Sequence, residues 1–135
     1  MAELFLAPRA LPALARALCA LIDAGEGGGR LKLFDRRGKD ATLLATLTFA
    51  RPCAAQAETE EIEFYALQDE PDAPNRGKAA WARIEDGDGA LVLEGDVGER
   101  KGKTAFVIED ASIRKGDIVR VRALRLALRQ VRERG

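Results

Sequence analysis

Apolar positions in the first quarter of the chain recur at helical spacing and then switch to a period of two. Leu11, Leu14, Ala15, Leu18, Leu21 and Ile22 fall on one face of a 3.6-residue repeat, with Ala13, Arg16, Ala17, Ala20 and Asp23 on the other. Pro12 suits the first helical turn and Gly25 suits a C-terminal cap. The pattern predicts a helix over residues 10–24 whose apolar stripe packs on a core. The chain then enters Gly25-Glu26-Gly27-Gly28-Gly29 and emerges at once as Leu31-Lys32-Leu33-Phe34. Four glycines among five residues carry a high conformational entropy cost, so they predict a tight backbone route from helix to sheet.

Beyond the glycines, Leu31 and Leu33 alternate with Lys32, while Leu43, Ala45, Leu47 and Phe49 share one face against Leu44, Thr46 and Thr48. These are two predicted strands. The intervening Asp35-Arg36-Arg37-Gly38-Lys39-Asp40 is a charged turn, whose basic residues either meet phosphate or solvate a loop; the flanking aspartates favour solvation. Residues 51–61 are read as a connection, and Ile62, Phe64 and Ala66 as one face of a third strand. Residues 68–77, with Pro71, Pro74 and Asn75, are expected to form a mobile loop whose Asp69, Glu70 and Asp72 are solvated acids rather than metal ligands. Asp86-Gly87-Asp88-Gly89 between residues 78–85 and 90–97 predicts a hairpin, since Asp and Gly tolerate positive φ in the turns that join twisted strands. The flanking strands and missing further ligands argue against a calcium loop there. Trp81 on that hairpin is expected to anchor the core against Leu14, Leu18 and Ile22 or against Leu47 and Phe49, with an interface role as the alternative. Residues 104–108 are predicted as a central strand or one covered by another surface. After Gly116-Asp117, Val119 and Val121 alternate with Arg120 and Arg122, but the apolar set changes phase at Leu124, Leu126 and Leu128. Either a β-bulge or a helix over residues 123–132 accounts for that change.

Composition narrows the function classes. The 22 basic and 22 acidic residues cancel, and aromatic content is 5%, so neither an overall field nor a stacking platform for nucleic acid is expected. With no histidine and only Cys19 and Cys53, histidine-based triads and zinc-finger ligand sets are excluded, and the two cysteines are read as separate thiols or a single disulfide. The glycine run follows a helix, whereas a phosphate-cradling loop follows a strand. Carboxylate pairs drawn from Glu60, Glu61 and Glu63 or from Asp86 and Asp88 read as exposed acids. The N-terminal stretch has an acid where a secretion signal carries basic charge, and no segment reaches the roughly 20 apolar residues of a membrane span, so synthesis in the cytosol is expected. No catalytic residue, metal site or cofactor is predicted.

Charge is nevertheless segregated. Acids concentrate over residues 58–72, and basic residues over the C-terminal segment as Arg114, Lys115, Arg120, Arg122, Arg125, Arg129, Arg132 and Arg134. Arg114, Arg120, Arg122, Arg125 and Arg129 are the candidate interaction residues, meeting an acidic surface of a neighbour; the competing reading is a solvated edge strand guarded by arginine. Taken together, the patterns predict one domain over residues 1–135. It is mainly β, an antiparallel β-sandwich or rolled sheet over residues 30–130, with one N-terminal amphipathic helix.

Residues 18–35, running Leu-Cys-Ala-Leu-Ile-Asp-Ala-Gly through the glycines to Leu31-Lys32-Leu33-Phe34-Asp35, resemble the opening of small structural proteins of tailed phages and prophages. Residues 43–49, 80–86, 93–98 and 112–119 are similar to later blocks of those proteins in the same order. The resemblance implies a non-enzymatic virion subunit of the head decoration or head-tail region. Its implied partners are capsid or tail proteins or further copies of itself, with no specific nucleic acid, membrane or small-molecule substrate. It also implies residence in the virion after synthesis in the bacterial cytoplasm. This chain departs from the family's threonine-, serine- and alanine-rich second half by carrying Glu58, Glu60, Glu61, Glu63, Glu99, Arg100, Lys101 and Lys103. No functional residue transfers, because the matching blocks are those a fold needs. The alternative is a bacterial carbohydrate- or protein-binding β-module, with an enzyme third.

Overall fold

In the computed structural model, residues 7–55 and 61–128 are described. Helix α1 (Ala10–Ile22) buries Leu11, Ala15 and Ile22, with Leu18 and Cys19 packed partly against the core. The buried stripe is narrower than the sequence pattern predicts: Leu14 is 42% and Leu21 55% exposed. The helix also ends earlier, with Asp23 at the C-cap; the Asp23 N–H donates to the Cys19 carbonyl and the Ala24 N–H to the Leu21 carbonyl. Gly25 is the first residue to take positive φ, at 88°.

The strands are β1 (Arg30–Phe34), β2 (Leu43–Thr48), β3 (Glu61–Glu63), β4 (Gly77–Lys78), β5 (Trp81–Glu85), β6 (Leu91–Gly98), β7 (Phe106–Val107), β8 (Ser112–Ile113) and β9 (Arg125–Ala127). Seven of them form one sheet in the order β2-β1-β5-β6-β7-β9-β3, and β4 pairs with β8 separately. Every pairing is antiparallel except β6 with β7. The fold is thus mainly β with one helix, as the periodicities predict, and its large sheet is rolled. Thr48 of β2 exchanges backbone hydrogen bonds with Gln68, while Leu67 and Glu70 bond to Val121 and Val119. The chain following β3 therefore lies between β2 and residues 119–121, bringing the two ends of the sheet together.

The register explains the core. Leu31 faces Leu47 and Ile84 across its two neighbours, and Leu33 faces Ala45 and Ala82. All six are fully buried. Phe106, paired with Val97 and Leu126, extends the same interior through β6, β7 and β9; of the strand predicted over residues 104–108, only Phe106 and Val107 are strand, and these lie inside the sheet. Gly95 lies under the Phe106 ring, 3.2 Å from where a Cβ would stand, which is why the strand carries no side chain there. At the C-terminal end the buried set runs Val119, Val121, Leu124, Leu126, the phase change of the sequence pattern, and Arg125–Ala127 is a strand. Of the predicted third strand, Ile62 and Phe64 are buried but Ala66 is exposed and Leu67 buried in its place. Residues 68–77, expected as a mobile loop, are tied by backbone hydrogen bonds from Glu70 to Val119 and between Ala73 and both Gly116 and Asp117.

The glycine run meets the β5–β6 turn. The Gly87 N–H donates to the Ala24 carbonyl, and the Glu26 N–H to Asp88 Oδ1. A Cβ on Gly87 would stand 2.5 Å from the Glu26 carbonyl oxygen. Arg51 adds hydrogen bonds from its guanidinium to the Asp23 and Gly25 carbonyls, tying the residues that follow the helix to the chain beyond β2.

Candidate functional site

Alternation along β1, β5 and β6 sends one parity inward and the other to the outer face. With Ala82 and Ile84 inside, Trp81 and Arg83 stand outside, so Trp81 is not the core anchor that its size suggests. Its cross-strand neighbours are Phe34 and Asp96; those of Arg83 are Lys32 and Glu94. The Trp81 indole N–H donates to Glu94 Oε1 at 2.8 Å. Lys32 is engaged with Glu85 at 3.1 Å.

The β1–β2 loop folds back over this face. Gly38, at φ 107°, lets it turn, and Asp35 braces it by accepting the Thr42 N–H at 2.8 Å. That backbone bond, with Arg36 beside it, holds the Asp35 carboxyl below the usual carboxylate range. The loop places the Arg37 guanidinium 5.1 Å from the centre of the Trp81 ring, within cation–π range. Between loop and sheet lies a hollow of about 280 Å³ lined by Phe34, Gly38, Lys39, Ala41, Trp81, Arg83 and Glu94. Arg83 Nε is sealed from solvent and, among the described residues, has no hydrogen-bond acceptor. A buried donor left unpaired costs about 1–3 kcal/mol. Sequence reading placed the basic turn and Trp81 separately; the signal joining them is the shared parity of Trp81 and Arg83, opposite to that of Ala82 and Ile84.

The arginine candidates are distributed differently. Pairing of β3 with β9 brings the acidic and basic segments of the same chain together. Arg125 lies 3.9 Å from Glu61 and 3.8 Å from Glu63, and Arg120 is 3.2 Å from Asp69. Arg114 and Arg122 are exposed and form no ion pair among the described residues; their backbone N–H groups donate to Asp117 and Glu109. Arg129 lies outside the described residues, as do Arg132 and Arg134. The cationic segment is therefore partly neutralised at home.

Both cysteines are free thiols. Cys53 Sγ approaches the Cys19 carbonyl at 4.0 Å, and burial, with Cys19 and Asp23 adding to it, pushes the Cys53 thiol far above its ordinary range. Burial raises Cys19 as well. Neither is a ready thiolate. Among the described residues no group of three or more Cys, Asp or Glu is arranged to hold a metal, and no helix is long and apolar enough to cross a membrane. Comparison with protein-family models, curated proteins and solved structures gave no match.

Proposed function

We propose that the protein is a non-enzymatic structural subunit of a tailed-phage particle, attached through its surface to capsid or tail proteins or to copies of itself. The observation that carries this reading is where the phage-like blocks fall. Four of the five blocks, residues 18–35, 43–49, 80–86 and 93–98, contain the end of α1, then β1, β2, β5 and most of β6, which are neighbouring strands of the sheet, while the fifth, residues 112–119, holds β8 of the separate two-stranded sheet. Four blocks separated by tens of residues thus converge on one contiguous framework. The charged departures Glu61, Glu63, Glu99, Arg100, Lys101 and Lys103 lie on β3 and in the segment between β6 and β7. A framework that resembles those proteins, with a recharged remainder, suits subunits adapted to different neighbours.

Within this reading the attachment surface centres on Arg114 and Arg122, whose charges are unpaired among the described residues, with Arg120 and Arg125 exchanging weak in-chain pairs for a partner's acids. The test is quantitative mass spectrometry of density-purified particles from the induced host. The chain is expected at a fixed ratio to a major head or tail protein. Its absence from particles while abundant in the lysate would overturn the proposal.

A second reading, a ligand-binding β-module, is favoured by one observation, the hollow beside Trp81.

A further inference from the structure

We propose that this hollow, between the β1–β2 loop and the outer face of β1, β5 and β6, is a binding site for a single carboxylate carried on a ring-sized body. The proposal is independent of particle attachment, since every group it needs belongs to the isolated chain.

Charge sets the sign of the ligand. Lys39 and Arg83 line the hollow, neither with an ion-pair partner among the described residues, and Arg37 lies over Trp81 at its edge. The opposing carboxylate in the lining is Glu94, one of whose oxygens is already taken by the indole N–H. Asp35, at the base of the loop, is committed to Thr42 and Arg36. Positive charge is left in excess, and an anion compensates it.

Shape and chemistry narrow the class. A guanidinium presents a planar fork of donors that matches a carboxylate, and the Arg83 side chain, which lines the hollow and makes no hydrogen bond or ion pair among the described residues, has its terminal N–H groups unspent. Inorganic phosphate carries no apolar body to cover Phe34, Ala41 and Trp81, so it gains less from this lining than a ring-borne carboxylate. A volume of about 280 Å³ exceeds what one or two waters need and falls just below the range of drug-sized sites, matching a single ring. The walls contributed by Phe34, Ala41 and Trp81 cover the apolar faces of such a ring. The Arg37 guanidinium, 5.1 Å from the centre of the indole ring, adds a further positive charge beside the hollow.

Trp81 is the only tryptophan of the chain, so its fluorescence and its indole N–H resonance report this hollow directly. Titration of the purified chain with D-glucuronate and, separately, with N-acetyl-glutamate α-amide is expected to give saturable changes with Kd of order 1–10 mM. A response to glucuronate at least as strong as that to the acyclic glutamate derivative supports the ring-borne carboxylate, whereas a stronger response to the glutamate derivative overturns it. Neutral methyl glucoside should give none, and inorganic phosphate a weaker one. R83Q should raise Kd about tenfold or more. Because Arg83 is partly buried, K39Q, on the exposed loop, provides a second variant with a several-fold increase expected and the fold retained. No saturable change with either carboxylate, equal responses to methyl glucoside or phosphate, or unchanged affinity in folded K39Q and R83Q would overturn the proposal.

Discussion

Replacing Gly29 with alanine tests the junction between helix and sheet. Gly29 is buried and its φ is not positive, so an alanine there meets no backbone strain of its own. The added Cβ would instead stand 2.7 Å from both Ile22 Cγ2 and the Ile22 carbonyl oxygen and 3.0 Å from the Glu85 carbonyl oxygen. Two of these three neighbours are backbone, one at the end of α1 and one at the end of β5, so a rotamer change cannot relieve the contact. Overpacking of this kind costs about 1–3 kcal/mol. Restricting the unfolded chain returns about 0.4–1 kcal/mol. The expected net loss is ~1.3 kcal/mol, which for a domain of this size lowers Tm by about 4–8 °C. Urea unfolding followed by far-ultraviolet circular dichroism measures it. Gly27→Ala serves as the reference: φ there is 80° and a Cβ meets nothing within 4 Å, so only left-handed strain of about 1–2 kcal/mol applies. If G29A unfolds at the wild-type midpoint, the close approach of α1 to β1 and β5 is refuted.

Trp81→Ala should cost about 1–2 kcal/mol in urea unfolding, less than removal of a fully buried aromatic side chain, because the ring lies on the outer face; a loss above about 4 kcal/mol would contradict that placement. Breaking the Arg125 pairs with Glu61 and Glu63 should show a coupling below about 1 kcal/mol in a double-mutant cycle, since the distances are long and the arginine partly exposed. The raised thiols make stability fall as pH rises above the ordinary thiol value of 9.0, because the unfolded chain loses protons there that the folded chain keeps. Cys53→Ala should flatten that alkaline decline in a pH series of melting curves. R114E/R122E should weaken particle attachment, more at low salt, with Tm unchanged; attachment indifferent to both substitutions and ionic strength would return these arginines to solvent.

Periodicity carried most of the framework. The helix, the Asp-Gly hairpin and the inward parity of Leu31, Leu33, Ala45 and Leu47 follow from local spacing alone, because one buried face fixes each of them. Trp81 misled because size favours burial, whereas Ala82 and Ile84 had already claimed the inner side of β5. The arginines misled differently. Their candidate acidic partners lay sixty residues earlier in the same chain, and only the pairing of β3 with β9 reveals that they meet. The hollow likewise depends on a loop folding across a sheet, a relation with no signature in spacing. Leu14 and Leu21 match the helical period as well as their buried neighbours do, and nothing in a repeat tells how wide a surface the partner sheet offers.

The clasp between the glycine run and the β5–β6 turn has a consequence for synthesis. Residues 24–26 at the end of the helix are held by Gly87 and Asp88, some sixty positions downstream. A nascent chain emerging from the ribosome can coil the helix early, but cannot fasten it until the turn has cleared the exit tunnel. At about 5–20 residues per second, the N-terminal third waits several seconds with Leu11, Ala15 and Ile22 uncovered, the interval in which a chaperone or a sister chain has access to it.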